Sequence, residues 1–252
     1  MDTNRERGAR KRDLQIVDIH THVLPGIDDG ARDWDMSMGM LKRSWDNGVR
    51  TVIATPHFVP WEGQIPPERI RQMCREAEAR FSEAYGLEMA VYPGEELYYY
   101  SDLVTDLREG RAMTMHGTGT VLVEFGLRVP FGELQQAVLK LKRSGYRVIL
   151  AHYERYSALA AEDHVEELLD MGVRLQSNLQ ALQGGLLDPV SRRIKKDYKR
   201  GRISFTASDM HNLTSRPPME ERELKWLRSS LDQNEIMDLF YGNAAAEFSL
   251  RH

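Results

Sequence analysis

One cysteine, Cys74, is all that the 252 residues contain, so the chain can form neither an intramolecular disulfide nor a multi-thiolate zinc site. Any metal it binds must be held by histidine and carboxylate. There is no apolar run of the 18 or more residues that a membrane-spanning helix requires. The N-terminal Met1-Asp2-Thr3-Asn4-Arg5-Glu6-Arg7 also lacks the apolar stretch of a secretory signal. A cytoplasmic location without direct membrane insertion is therefore expected. The excess of acidic over basic residues is small too. The net charge of −4 is spread over both halves, and the one basic run (Arg5, Arg7, Arg10, Lys11, Arg12) is interrupted by Glu6 and Gly8. That argues against nucleic-acid binding by a basic face and reads residues 1–13 as a disordered, solvated charged tail.

What is present is an ordinary globular composition, 41% hydrophobic and 29% charged with 19 Gly and 10 Pro. Short β-branched and aliphatic runs recur at roughly thirty-residue intervals: 15–19, 51–55, 89–92, 121–125, 147–151, 173–176 and 203–207. Between them lie stretches with helical periodicity, such as Met36, Met40, Leu41 and Trp45, or Leu134, Val138, Leu139 and Leu141. Strands alternating with helices imply a parallel sheet. Seven such units in this length fit a closed or nearly closed barrel better than an open sheet, so the fold class expected is α/β, a distorted TIM-like (β/α)7 barrel. Helical stretches end at Gly48, Gly86, Gly145, Gly172 and Gly201, each just before a strand, as left-handed helix stops would. No composition break divides residues 14–252, which read as a single domain.

The chemistry is concentrated where strands end. The first ends in Asp18-Ile19-His20-Thr21-His22, and a period of two puts both histidines on one face. His57 follows the second strand, Glu95 and Glu96 the third, His152 the fifth, and Asp209-Met210-His211 repeats the first spacing after the seventh. Glu124 lies inside the apolar Val121-Leu122-Val123-Glu124-Phe125, where a carboxylate is costly unless paired or bound to a cation. Parallel barrels turn all these ends to one rim. Five of eight histidines fall there, whereas His116, His164 and His252 fall in loop, helix and terminus and read as ordinary residues. Imidazole and carboxylate without thiolate suit Zn, Mn or Fe, and the carboxylate share tilts the choice toward harder ions. With Asp29, Glu96, Glu124 and Asp209 as ligands, three divalent ions and a bridging hydroxide would leave a site of about +1, suited to a phosphate ester.

Cys74 to Arg80 formally matches the Cys-x5-Arg pattern of cysteine-dependent tyrosine phosphatases. That loop must bend around phosphate with converging backbone N–H groups. This stretch has no glycine, carries Glu76 and Glu78, and favours a surface helix.

In sum the ordered motifs Asp18-Ile19-His20-Thr21-His22, Leu24-Pro25-Gly26-Ile27-Asp28-Asp29-Gly30, Ala54-Thr55-Pro56-His57, Gly94-Glu95-Glu96, Val123-Glu124-Phe125, Ala151-His152-Tyr153-Glu154-Arg155-Tyr156, and Ala207-Ser208-Asp209-Met210-His211-Asn212 with Arg216-Pro217-Pro218 resemble the PHP (polymerase and histidinol phosphatase) superfamily. More narrowly, the chain resembles the bacterial tyrosine-protein phosphatases of capsule and exopolysaccharide operons. The resemblance implies a PHP fold and two or three divalent metal ions, Mn²⁺ foremost, with Fe, Zn, Mg or Co as alternatives. It implies one metal held by His20, His22, Glu96 and Asp209, a second by Glu96, Glu124 and His152, and a third by Asp29, His57 and His211, with Glu96 bridging and the adjacent Glu95 as fallback. It makes Arg155 the catalytic arginine and Arg216 a second phosphate contact, with Asp29 also in the catalytic set. The implied activity is hydrolysis of phosphotyrosine by a metal-activated hydroxide, and the implied partner is the C-terminal tail of a bacterial tyrosine autokinase. A histidinol-phosphatase-like enzyme and a non-catalytic metal-bound phosphopeptide-binding module are the alternatives, and oligomerisation stays open. The family pattern has proline where Tyr153 and Gly126 stand; both are expected to flank the pocket and bear on substrate preference.

Overall fold

The computed structural model describes residues 15–185 and 187–250. The charged tail expected at 1–13 lies outside them. Among the described residues nine strands form, all paired in parallel: β1 (Ile16–Thr21), β2 (Val49–Ala54), β3 (His57–Phe58), β4 (Ala90–Pro93), β5 (Glu96–Tyr98), β6 (Thr120–Glu124), β7 (Arg147–Leu150), β8 (Arg174–Asn178) and β9 (Ile203–Ala207). They fall into two sheets, ordered β1-β2-β4 and β3-β5-β6-β7-β8-β9. The division arises because two strand positions are broken. Pro56 cannot donate to a ladder and separates β2 from β3, and Gly94-Glu95 separates β4 from β5. Hydrogen bonds from Gly94 N–H to Ala54 O (2.9 Å) and from Glu96 N–H to Pro56 O (3.1 Å) carry the pairing across both breaks.

The circuit is therefore a distorted TIM-like barrel with seven strand positions. No continuous ladder joins β9 to β1. Asp209 N–H donates to His20 O at 3.0 Å and His22 N–H to Met210 O at 2.9 Å, so the turn after β9 meets the first strand at the rim. Each strand position is followed by a helix: α1 (Trp34–Asp46), α2 (Pro67–Tyr85), α3 (Leu103–Glu109), α4 (Phe131–Arg143), α5 (Glu162–Asp170), α6 (Pro189–Lys199) and α7 (Glu221–Ser230), with α8 (Gln233–Met237) and α9 (Asn243–Phe248) closing the described chain. Gly48, Gly86, Gly145, Gly172 and Gly201 all have positive φ, as expected of helix stops. Among the described residues no helix is long and apolar enough to cross a membrane.

Two apolar layers follow from strand alternation. Val17, Ile19, Ile53, Leu122, Ile149 and Phe205 fill the lower barrel against Ala244 and Phe248 of α9. Met40, Leu41, Phe81, Leu134, Val138 and Ile194 pack the helices onto the outside of the strands. Buried Glu247 of α9 ties the underside together, accepting from the Thr120 hydroxyl and pairing with Arg147 (2.6 Å) and Arg174 (2.6 Å). The Cys74 segment lies within α2, as expected, but Cys74 faces the core beside Ile70, Met73 and Ala77 rather than the surface. Burial pushes its thiol up to about 12.

Candidate metal centre

A bulge in β1 sets the site. Between Asp18 and Thr21 three steps of β1 oppose two of β2, so Ile19 joins the barrel floor while His20 turns toward the rim. The loop after β1 then folds back under a close approach: a Cβ on Gly30 would lie 2.2 Å from His22 O, so only glycine fits there. His152 (φ 30°) and Asp209 (φ 51°) occupy the left-handed region without being glycine, a strain of about 1–3 kcal/mol each that concentrates at functional sites.

Among the described residues, three overlapping groups of donor atoms converge there: His20, His22, Glu96 and Asp209; His57, Glu96 and Glu124; and His22, Asp29, His57 and His211. His20 Nε2 stands 3.0 Å from Glu96 Oε2 and 3.5 Å from Asp209 Oδ1, and His22 Nε2 stands 3.2 and 3.4 Å from the same two oxygens. Asp29 Oδ1 is 3.4 Å from His57 Nε2 and 3.2 Å from His211 Nε2. His57 Nδ1 lies 3.2 Å from Glu96 Oε2 and 3.1 Å from Glu124 Oε1, so this one ring spans two groups. His152 approaches Glu96 Oε1 at 2.7 Å and Glu124 Oε2 at 3.7 Å. Every metal-ligand candidate read from the sequence thus lies in or beside the cluster, with His57 nearer the middle group than the spacing suggested. Glu95 does not join it. Its carboxyl accepts from Met113 N–H at 2.6 Å, and burial pushes it up to about 8.

Both arginines sit at the edges, Arg155 Nη2 2.6 Å from Asp209 Oδ2 and Arg216 Nη2 2.6 Å from Asp29 Oδ2. Tyr153, expected to flank the pocket, is instead a core residue whose hydroxyl donates to Asp197 at 2.8 Å. His164 stacks on Phe131 at 3.8 Å, away from the cluster.

The residues that sequence reading missed are those behind the donors. Gln176 Oε1 accepts from His152 N–H (2.8 Å) and faces His20 Nδ1 (3.0 Å), while its amide donates to Asn178 Oδ1 (2.8 Å). Asn178 in turn donates to Asp209 Oδ2 (2.8 Å), and Asp28 Oδ2 holds His22 Nδ1 (2.8 Å). An acceptor opposite Nδ1 fixes the proton there and leaves Nε2 as a lone pair. Backbone O of Asp209 does the same for His211 (2.9 Å). β8 reads Arg174-Leu175-Gln176-Ser177-Asn178 with Leu175 its one apolar residue, so no break in an apolar pattern marked Gln176 and Asn178; only their burial and bonding set them apart.

Electrostatics favour a cation. Burial opposes charge on His57, yet Asp29, Glu124 and Glu96 outweigh it and raise the group to about 10. Burial likewise opposes charge on His20 and His22, and neighbouring carboxylates raise both. Burial would raise Glu96 and Asp209, but the surrounding imidazoles hold both below the ordinary carboxylate range. His57 Nδ1, Glu96 Oε2 and His211 Nε2 are buried without a well-aimed hydrogen-bond partner. Donors bound at about 2.1 Å around one ion lie about 3.0–3.4 Å apart, which the spacings above approximate. The residues fit divalent metal.

The family model described as "Capsular polysaccharide synthesis, CpsB/CapC" matches residues 16–249. Tyrosine-protein phosphatase CpsB of Streptococcus agalactiae is 29% identical over 239 residues, covering 91% of this chain and 96% of that protein. A solved structure from work on YwqE of Bacillus subtilis and CpsB of Streptococcus pneumoniae, described as metal-dependent tyrosine phosphatases, superposes with a TM-score of 0.84 at 26% identity, covering 94% of this chain and 96% of the other. An organophosphorus hydrolase mutant from Deinococcus radiodurans, at 15% identity, TM-score 0.58, and coverage of 94% and 93%, shares the barrel fold. With a family match spanning nearly all of the described residues and donors gathered at one rim, the chain belongs to the CpsB/CapC family of capsular polysaccharide synthesis.

Proposed function

We propose that the chain is a metal-dependent protein-tyrosine phosphatase that regulates a tyrosine autokinase of capsule or exopolysaccharide synthesis by removing phosphate from its C-terminal tail. The observation that carries this reading is the set of three donor groups linked through Glu96, His22 and His57, with an arginine at each edge. His20, His22, Glu96 and Asp209 would hold one ion; Glu96 and Glu124, with His152 and His57 at hand, a second; Asp29, His57 and His211 a third. Mn²⁺ is the favoured metal. The same reading takes residues 14–252 as a single PHP-type domain, supported by the family match over residues 16–249.

Bound divalent ions supply Lewis acidity and a hydroxide at neutral pH. The chain's own residues do the rest. Gln176, Asp28 and the Asp209 carbonyl aim three imidazole Nε2 atoms into the cluster. Arg155 and Arg216 each use one nitrogen on a carboxylate, leaving further N–H groups for the equatorial oxygens of a phosphoryl group, which guanidinium matches bidentately. Tyrosinate, with a parent pKa near 10, leaves with less proton assistance than a serine alkoxide. The one cysteine is buried in α2, so the chemistry needs no cysteinyl-phosphate.

The test is phosphate release from a phosphotyrosine peptide and from histidinol phosphate by chelator-stripped protein, with and without Mn²⁺, beside His20→Ala and Arg155→Ala. Metal-dependent release favouring the peptide and lost in both variants supports the proposal. A preference for histidinol phosphate would move the protein to the small-molecule alternative.

A further inference from the structure

Three side chains that follow rim donors closely in sequence, Trp61, Tyr98 and Leu127, go unused in the mechanism above. Trp61 is 65% exposed, unusual for a side chain that is highly buried on average, and Leu127 is 56% exposed. Trp61 follows His57 by four residues, Tyr98 follows Glu96 by two, and Leu127 follows Glu124 by three. Each therefore belongs to the chain just beyond a member of the middle donor group.

Alternation along β5 puts Tyr98 on the same face as Glu96, one side-chain step (about 6.6 Å) nearer the rim. Its backbone partner on β6 is Glu124 itself. The Trp61 ring meets the Tyr98 ring edge-on, centroids 5.1 Å apart at 77°. Among the described residues, neither the Trp61 indole N–H nor the Tyr98 hydroxyl has a hydrogen-bond partner, so no polar contact inside the protein accounts for either placement. Gly126 lies beside them: a Cβ there would stand 3.4 Å from the Tyr98 hydroxyl, in van der Waals contact.

We infer that Trp61 and Tyr98 form an aryl wall that receives the aromatic ring of the substrate while its phosphoryl group lies at the Glu96–Glu124 end of the cluster. This rests on the phosphatase reading above. In an aryl phosphate only the bridging oxygen separates ring from phosphorus, so the ring must stand just outside the donor cluster, on the side where an aromatic face is offered. An edge-to-face pair presents one free face to such a ring, and aromatic contacts favour offset or T-shaped arrangements. A serine phosphate has no ring to place there, so the wall selects aryl over alkyl esters by contact as well as by leaving-group chemistry.

The test uses Mn²⁺-loaded full-length protein and two hydrolysis-resistant peptides, one with phosphonomethyl-phenylalanine and one with the phosphonate analogue of phosphoserine, titrated calorimetrically. The wild type should prefer the aryl peptide, Trp61→Ala should reduce that preference about five- to tenfold, and Trp61→Phe should restore most of it. Trp61 is exposed, so the variants should melt within a degree or two of the wild type. A preference unchanged in Trp61→Ala, or no aryl preference in the wild type, overturns the inference. Phosphate release measured in parallel separates the two ideas: Trp61-dependent aryl binding without turnover sinks the phosphatase reading and keeps the wall, whereas turnover with a Trp61-independent preference does the reverse.

Discussion

At the scale of single residues, Arg155 and Gln176 act on the cluster in different ways. Arg155 touches Asp209 through one nitrogen and keeps others free for substrate, so Arg155→Ala should lower kcat about 10²- to 10³-fold while bound metal, measured by elemental analysis, stays near the wild-type level. Gln176 touches no substrate. It holds His20 and the His152 backbone, so Gln176→Ala should weaken metal affinity about 10- to 100-fold, read by metal titration, and recover activity at high metal concentration. The strand-end histidines and Glu124 were legible because a polar group at such a position breaks an apolar pattern. Gln176 and Asn178 lie in a strand with little apolar pattern to break, and neutral amides carry no ligand signature, so their role follows only from the place of β8 between β7 and β9, whose following turns carry His152 and Asp209. The choice between Glu95 and Glu96 was likewise closed to spacing. It depends on where the β4–β5 break falls, and that break gives Glu95 to Met113 and Glu96 to the cluster.

At the scale of elements, the seven strand positions and their helices were legible from periodicity, since β-branched runs and glycine stops recur with the βα repeat. The breaks that create β3 and β5 were not, because two- and three-residue strands carry no period of their own. Nor did the sequence announce α9, whose work is done by one acid. Glu247 accepts charge-assisted bonds from β6 through Thr120 and pairs with Arg147 of β7 and Arg174 of β8. Replacing it by Gln, which keeps the shape but not the charge, should destabilise the fold by about 2 kcal/mol, or about 4–8 °C in Tm for a chain of this size. Burial raises the Glu247 pKa, but Thr120, Arg147 and Arg174 overcome that and lower it. A carboxyl lowered in the folded state contributes stability that is present above its unfolded value, near 4.3, and is lost as pH falls through the folded value. The difference between wild type and Glu247→Gln in denaturant unfolding should therefore be full at pH 7 and shrink below pH 4. A gap that stays constant with pH would assign the effect to packing.

At the scale of the whole molecule, one rim gathers Asp29, Glu96, Glu124 and Asp209 with five histidines, and something positive must balance the carboxylates. Protons can do so, which is why carboxylate neighbours raise His20, His22 and His57 despite their burial. Divalent ions can do so better, because each replaces more than one proton and satisfies the stranded His57 Nδ1, Glu96 Oε2 and His211 Nε2 atoms. The two compete for the same lone pairs, so the sign is fixed: metal binding releases protons and strengthens as pH rises. Since the donors come from β1 and the loop after it, from β3, β5 and β6, and from the turns after β7 and β9, the ion binds the folded barrel and not the unfolded chain. Mn²⁺ at a hundredfold excess over its dissociation constant should then stabilise the protein by about 2.7 kcal/mol, a rise of about 5–11 °C in Tm over the chelator-stripped protein. The rise should be larger at pH 8 than at pH 6 for one fixed Mn²⁺ concentration, and Glu96→Ala, which removes the oxygens shared by two donor groups, should abolish most of it. If no divalent ion moves the melting point at either pH, histidine protons alone balance the rim, and the catalytic reading loses its source of hydroxide.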